Sequence, residues 1–356
     1  MALGVVLVIV AVLQNWNTSE YALTPGDSTP VAPLVKIHGL ATDARPDKIM
    51  LTDVYLSSLS AWQWLVMHFQ SHVEFVSASQ LVDPGIPTDE LGPQGFLQMS
   101  DSKQAAEVAA LRVLGWHLKA IASGAVVTGV VAPSPARTAR LHVADQIVGA
   151  DGTAVHSTCD LIAVVHSLAP GTLLRLRVDR AHISDKGVIT WSSPTTMSMT
   201  TRVAPSGLGA SGCAGVAGAD RSWVGISLEN GIRFDLPGTI TINTNNIGGP
   251  SAGLAMTLTL IDQLSAGSLT GHRVIAATGT MDANGNVGDV GGVAEKTVAV
   301  ERAGATVFFV PLVEVATARS VAPKGLQIVG VSTIMQVLTY LHAHGGQTPV
   351  PLTRPH

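Results

Sequence analysis

The chain has 356 residues, 46% of them hydrophobic and 13% charged, which is ample apolar material for buried cores and excludes a disordered polymer. At roughly 100 to 200 residues per domain it divides into two or three domains. The formal charge of −4 and the singly scattered basic residues exclude the basic stripe that a nucleic-acid partner requires. Two cysteines, Cys159 and Cys213, lie far apart and form no CxxC pair, so neither a zinc ribbon nor a disulfide framework is expected.

From Ala2 to Leu13 every residue is apolar or glycine, and polar Gln14, Asn15 and Asn17 follow. A run of about 12 falls short of the roughly 20 residues of a membrane span, and no basic residue precedes it. Residues 1–20 are read as an export signal or membrane anchor cut short at its start, which predicts an extracytoplasmic, membrane-tethered or secreted protein. The plainer alternative is an apolar element packed in the core. Pro, Thr, Ser and Gly between Tyr21 and about Val35 predict a linker leaving the membrane. Residues 21–118 form a small N-terminal region, with a strand over Ile49–Leu56. A helix is predicted over Ser102–Leu114, where Ala105, Val108, Ala109 and Leu111 recur at helical spacing.

Residues 119–203 change to short β-rich runs around one helix. Strands are predicted over Val126–Val131, Asp145–Val148 and Leu173–Val178, a helical turn over Ser134–Ala139 and a helix over Cys159–Leu168. With the phrases SPARTARLHVADQIVGADGTAV and LAPGTLLRLRVDR, this order resembles a bacterial PDZ domain of the kind attached to exported proteases. Ala144 departs from it, because such domains commonly carry Gly there. The resemblance implies capture of an extended protein or peptide segment on a sheet edge, in a groove between the Val126–Val131 strand and the Cys159–Leu168 helix.

Residues 204–220, dominated by Gly, Ala and Ser, read as an interdomain linker. Its GLGASG phrase, Gly207–Gly212, matches a dinucleotide fingerprint only formally, since no strand and helix flank it. Residues 221–345 alternate strand and helix signals and predict an α/β unit, leaving 346–356 as a tail. Strands are predicted over Thr239–Asn243, Val274–Thr278 and Thr306–Val310, with helices over Ser251–Leu264, Ala294–Ala303 and Ile334–Leu341. The chain as a whole is thus expected to be an α+β multidomain protein.

GGPSAG, Gly248–Gly253, stands at the head of the first of these helices. Free N–H groups there suit a developing oxyanion, but Ser251 also fits a simple N-cap. The phrase TGTMDANGNVGDVGGVAEK, Thr278–Lys296, adds a base. A serine hydroxyl needs a proton acceptor, and a lysine supplies one when burial holds its amine neutral. Lys296 lies among Val293, Ala294, Val298 and Ala299. The two phrases together resemble the proteolytic domain of Lon proteases, peptidase S16 type. With the apolar segment and the PDZ domain, the order resembles the membrane-anchored, YlbL-like PDZ-Lon peptidases. The resemblance implies Ser251 as nucleophile, Lys296 as general base and Thr278 as the hydroxyl orienting the amine, with Thr280 as its neighbour in the same phrase. It further implies an oxyanion turn formed by Gly248, Gly249, Pro250, Ala252 and Gly253, and a ring-shaped homo-oligomer such as a hexamer.

No cofactor or metal is called for. His68 and His72 lack the Glu of HExxH, and no GxxxxGK[ST] loop supplies ATP-driven unfolding. The expected activity is an ATP-independent endopeptidase acting on flexible segments. Two alternatives compete with it. Gly249–Gly253 satisfies GxSxG, with Asp289 and His342 or His344 downstream as in an α/β-hydrolase esterase, although Thr244–Gly248 separate it from a strand. The other is a membrane-tethered PDZ adaptor with an inactive Lon-like scaffold. SDSK, Ser100–Lys103, matches SxxK without a following KTG.

Overall fold

The computed structural model describes residues 2–206, 212–213 and 221–355; GLGASG lies outside the described residues except for Gly212. The apolar start forms helix α1 (Ala2–Asn15), with the Asn15 side-chain amide bonded back to the Ala11 carbonyl. Val5, Leu7, Val8, Ile9 and Val12 are exposed, so α1 is not packed in a core. Among the described residues no helix is long and apolar enough to cross a membrane.

The segment expected as a linker is instead a strand, β1 (Asn17–Pro30). It is followed by β2 (Val35–His38), β3 (Ile49–Ser60), helix α2 (Ala61–Met67) and β4 (Glu74–Ser77). β1 pairs antiparallel with β3 on one side and β4 on the other, with a register shift between Pro25 and Ser28. That irregularity accommodates a residue with no N–H to give. Thr, Tyr and Leu elsewhere in β1 favour an extended strand once neighbours exist. Helix α3 (Leu91–Val113) begins well before the predicted Ser102. Gly92, Pro93 and Gly95 hide its first turns from a propensity reading, although proline is tolerated there.

The β-rich unit comprises β5 (Ala120–Val130), β6 (Gln146–Ala150), helix α4 (Thr158–Ser167), β7 (Leu173–Asp179), β8 (Thr195–Thr200) and β9 (Ile226–Phe234). Their order is β8-β7-β6-β5-β9, with every neighbouring pair antiparallel. Val127, Ile147, Leu161, Leu174 and Leu176 fill its core. β9 was expected in the second unit but completes this sheet, with Leu228 opposite Val127 and Asn230 opposite Ala125. Cys159 and Cys213 form a disulfide with Cα atoms 5.6 Å apart, contrary to the expectation from their spacing. Folding brings the 54-residue loop back onto the start of α4, a proximity that spacing does not encode.

Ala144 has φ 71°, is fully buried, donates its N–H to Val127 O and accepts from Trp191 Nε1. An L-residue in this left-handed conformation costs about 1 kcal/mol. Ala144→Gly should therefore raise the unfolding free energy by about 1 kcal/mol, measured as a shift in denaturant midpoint at unchanged slope. A lower midpoint would show that the methyl group's packing outweighs the strain.

The remaining elements are β10 (Thr239–Ile242), α5 (Gly253–Leu264), β11 (Ile275–Ala277), α6 (Val293–Arg302), β12 (Val307–Pro311), α7 (Val315–Val321), β13 (Gln327–Val331) and α8 (Ile334–Ala343). β10 pairs with β2. The main sheet runs β13-β12-β11-β3-β1-β4, parallel from β13 to β3 and antiparallel beyond. Residues 21–118 are thus no separate region. β1, β3 and β4 extend the C-terminal unit's sheet, and the β-rich unit is inserted between α3 and β10. Every residue of α5 is buried, packed with α3 and α8 on one face of the sheet. Val293 and Val300 of α6 and Ala318 of α7 cover the other face. Side chains such as Leu258, Leu260 and Ile261 contribute roughly 1.5–3 kcal/mol each by leaving water.

Candidate active site

Parallel sheets expose their C-terminal strand ends at one rim, where loops converge. Here that rim gathers Asp53 on β3, Thr278 just after β11 and Glu314 just after β12, while Ser251 precedes α5 and Lys296 lies in the first turn of α6.

The loop carrying Ser251 is set by glycines. Gly248 lies against the Gly95 backbone, where a Cβ would come within 3.2 Å of the Gly95 carbonyl carbon. Gly249 has φ 83° and donates its N–H to Gly95 O at 2.7 Å. A Cβ on Gly253 would collide with Met281. The Ser102 hydroxyl donates to Pro250 O at 2.9 Å. The residue capping α5 is Ala252, with no side-chain cap bond, so Ser251 does not act as the helix cap. Its side chain is half-buried.

Gly249 was expected among the oxyanion donors, but its N–H is committed to Gly95, and that of Gly253 to Pro250 O. Among the described residues the N–H groups of Ser251 and Ala252 remain without a backbone acceptor. The Thr278 hydroxyl, fully buried, donates to Ser251 O at 3.2 Å, and Gly279 N–H donates to the same carbonyl at 2.9 Å. Thr278 thus holds the Ser251 backbone, and a hydroxyl oxygen that donates one bond can still accept another. Thr280 faces elsewhere, its hydroxyl occupying the space a Cβ on Gly288 would need.

Lys296 is 2% exposed. Burial pushes its ammonium down from the ordinary 10.5 to about 8, partly offset by the charges of Glu314, Asp53 and Glu295. Among the described residues no hydrogen bond joins the Ser251 and Lys296 side chains, and such contacts commonly tighten only when substrate binds. Asp53 and Glu314 carry no motif of their own. They lie far apart in the chain, and only the fold brings their charges to bear on the lysine.

The GxSxG alternative lacks its strand, since β10 ends at Ile242 and residues 243–252 intervene. His344 Nδ1 donates to Tyr340 O and its ring stacks on the Tyr340 ring, and His342 contacts Thr348. His68 bonds Trp64 O and stacks on Phe75.

The peptide groove differs from expectation. β9 occupies the edge of β5 that was to receive the peptide. β9 is itself the end strand of the sheet, and a cleft lined by Leu161, Val165, Trp223, Val224, Gly225 and Ile226 separates its start from α4. The edge strand beside this cleft therefore follows the domain's other strands in the chain, beyond a segment that looked like a linker.

Comparisons with known proteins agree with this division. The PDZ domain family matches residues 112–187, and the Lon protease (S16) C-terminal proteolytic domain family matches residues 243–343. Lon proteases of Rickettsia felis and Rickettsia conorii are 31% identical over 119 residues, and that of Rickettsia bellii is 30% identical. Each match covers 33% of this chain and 15% of the relative, so the chain spans only a small part of their length. Among solved structures, the PDZ domain of an SdrC-like protein from Listeria monocytogenes is 19% identical. It covers 30% of this chain and 86% of its own, with a TM-score of 0.22. The chain thus carries a region matching the PDZ domain family and a region matching the Lon protease (S16) C-terminal proteolytic domain family.

Proposed function

We propose that this protein is a serine endopeptidase working by a Ser251–Lys296 dyad without nucleotide. The observation that carries the reading is the buried Lys296, lowered to about 8 on the rim where Thr278 grips Ser251. The neutral amine takes the Ser251 proton as Oγ bonds to the peptide carbonyl carbon, and the oxyanion faces the Ser251 and Ala252 N–H groups. Lys296 then protonates the departing amine, and a water deprotonated by the same lysine releases the acyl group. Thr278 accepts from the amine and orients it. No phosphate-loop motif occurs in the 356 residues, so the substrates are flexible or unfolded segments, docked along β9. A ring of copies is the assembly implied by the Lon resemblance.

The protein is proposed to work outside the cytoplasm, held at a membrane by its N-terminal end. The disulfide supports an oxidising compartment. Exposed Val8, Ile9 and Val12 of α1, with Trp16, Leu65 and Phe69 beside it, form an apolar surface suited to a lipid interface.

The test uses a reduced, alkylated unfolded protein as substrate, without ATP. Ser251→Ala and Lys296→Ala should each slow cleavage by roughly 10⁴-fold or more, followed by gel or mass spectrometry. Equal cleavage by wild type and both variants would sink the dyad, and no cleavage by any of the three would leave the adaptor reading in its place.

A further inference from the structure

Helix α3 touches both halves of the molecule. Towards the nucleophile, Gly95 O accepts from Gly249 N–H and the Ser102 hydroxyl donates to Pro250 O, one residue before Ser251. Towards the PDZ domain, Gln94 Nε2 donates to Thr128 O of β5 at 2.9 Å. Asp101 lies beside Glu229 of β9, and burial together with that neighbouring carboxyl pushes Asp101 up to about 7. Just ahead of the helix, Asp89 and Glu90 both pair with Arg137, and Ile86 fills the space left by the missing Cβ of Gly129. The two sets of contacts come from adjacent residues, Gln94 with Gly95 and Asp101 with Ser102. A rigid helix cannot shift at one set without shifting at the other, because its backbone bonds fix both to the same turns.

We propose that Ser102 is a positioning residue for Ser251, and that α3 makes the setting of the nucleophile loop depend on β9, the strand that receives the peptide. This rests on the reading of Ser251 as nucleophile. Its physical content is a strut: docking on β9 loads the Asp101 and Gln94 contacts, and the same turns of α3 carry that load to Gly249 and Pro250. Substrate capture and nucleophile alignment then become one event, which protects bystander proteins from cleavage.

The test is a double-mutant cycle in the full chain, read as the rate of Ser251 modification by a small fluorophosphonate, which needs no groove. Ser102→Ala should slow labelling about tenfold, as expected for one lost hydrogen bond, and lower kcat for peptide cleavage at unchanged KM. Ser102→Thr, which keeps the hydroxyl, should restore both. Gln94→Leu combined with Glu229→Leu should change the labelling rate threefold or more, and the same pair in the Ser102→Ala background should change it little. Thermal melts confirm that each variant is folded, and Ser102→Cys replaces Ser102→Ala if the latter is not. Wild-type labelling in Ser102→Ala, failure of Ser102→Thr to restore it, or independent multiplication of the two effects overturns the proposal. Labelling of Ser251→Ala at the wild-type rate would instead remove the nucleophile reading, a separate outcome.

Discussion

Lys296→Met should abolish cleavage and at the same time raise the melting temperature at pH 7. The two effects have one cause. The lysine sits at about 8 instead of 10.5 because the folded protein disfavours its charged form. That difference corresponds to about 3 kcal/mol. The unfolded chain binds a proton that the folded chain holds poorly, so the penalty is fully present below about pH 8. It disappears as pH rises towards 10.5, and stability rises with pH across that window. Methionine has similar length and no charge to bury, so a gain of about 1–3 kcal/mol is expected after allowing for imperfect packing. Calorimetry at pH 7 and pH 10 checks it, since the advantage of the variant must shrink at the higher pH. In the wild type, kcat/KM should climb tenfold per pH unit below about 8 and level off above it, because only the neutral amine accepts the serine proton. A profile flat between pH 6 and 9 would mean that this lysine is not the base.

Removing the disulfide by Cys159→Ser or by reduction should cost the PDZ domain about 4 kcal/mol, since the bridge closes a loop of 54 residues in the unfolded chain. Cys159 opens α4, whose Leu161 and Val165 wall the peptide groove, so peptide affinity should fall with stability. Melting followed by circular dichroism with and without dithiothreitol resolves the effect as an earlier PDZ transition. The Lon-type domain has no bridge among its described residues, so its own transition should not depend on the reductant. Identical melts in both conditions would show that the bridge carries no stability.

Local patterns were legible from the sequence wherever one segment's own residues decide its state. The helices at α4, α5, α6 and α8, and the strands at β3, β6, β7, β10, β11 and β12, lie within a few residues of their predicted spans, whereas β5 begins six residues before its own. The misreadings share a different origin. β1 looked like a linker because its Pro and Gly outweigh its Thr and Tyr until β3 and β4 pair with it on both sides. β9 seemed to begin the second domain because it is separated from β5 by almost a hundred residues of chain, though the two are hydrogen-bonded.

The same division holds at the site. The two glycine-rich phrases drew attention to Ser251 and Lys296, and their resemblance to the Lon proteolytic domain added Thr278. The resemblance to PDZ domains likewise marked Ala144 as a position where glycine is common, and its φ of 71° gives the reason. Only the tertiary structure decided that Gly249 spends its N–H on Gly95, that Asp53 and Glu314 meet the lysine, that Cys159 finds Cys213, and that α3 braces the loop carrying Ser251. Those relations join residues far apart in the chain. Their energies come from burial and hydrogen bonds that exist only after the sheet has closed, so no local pattern records them.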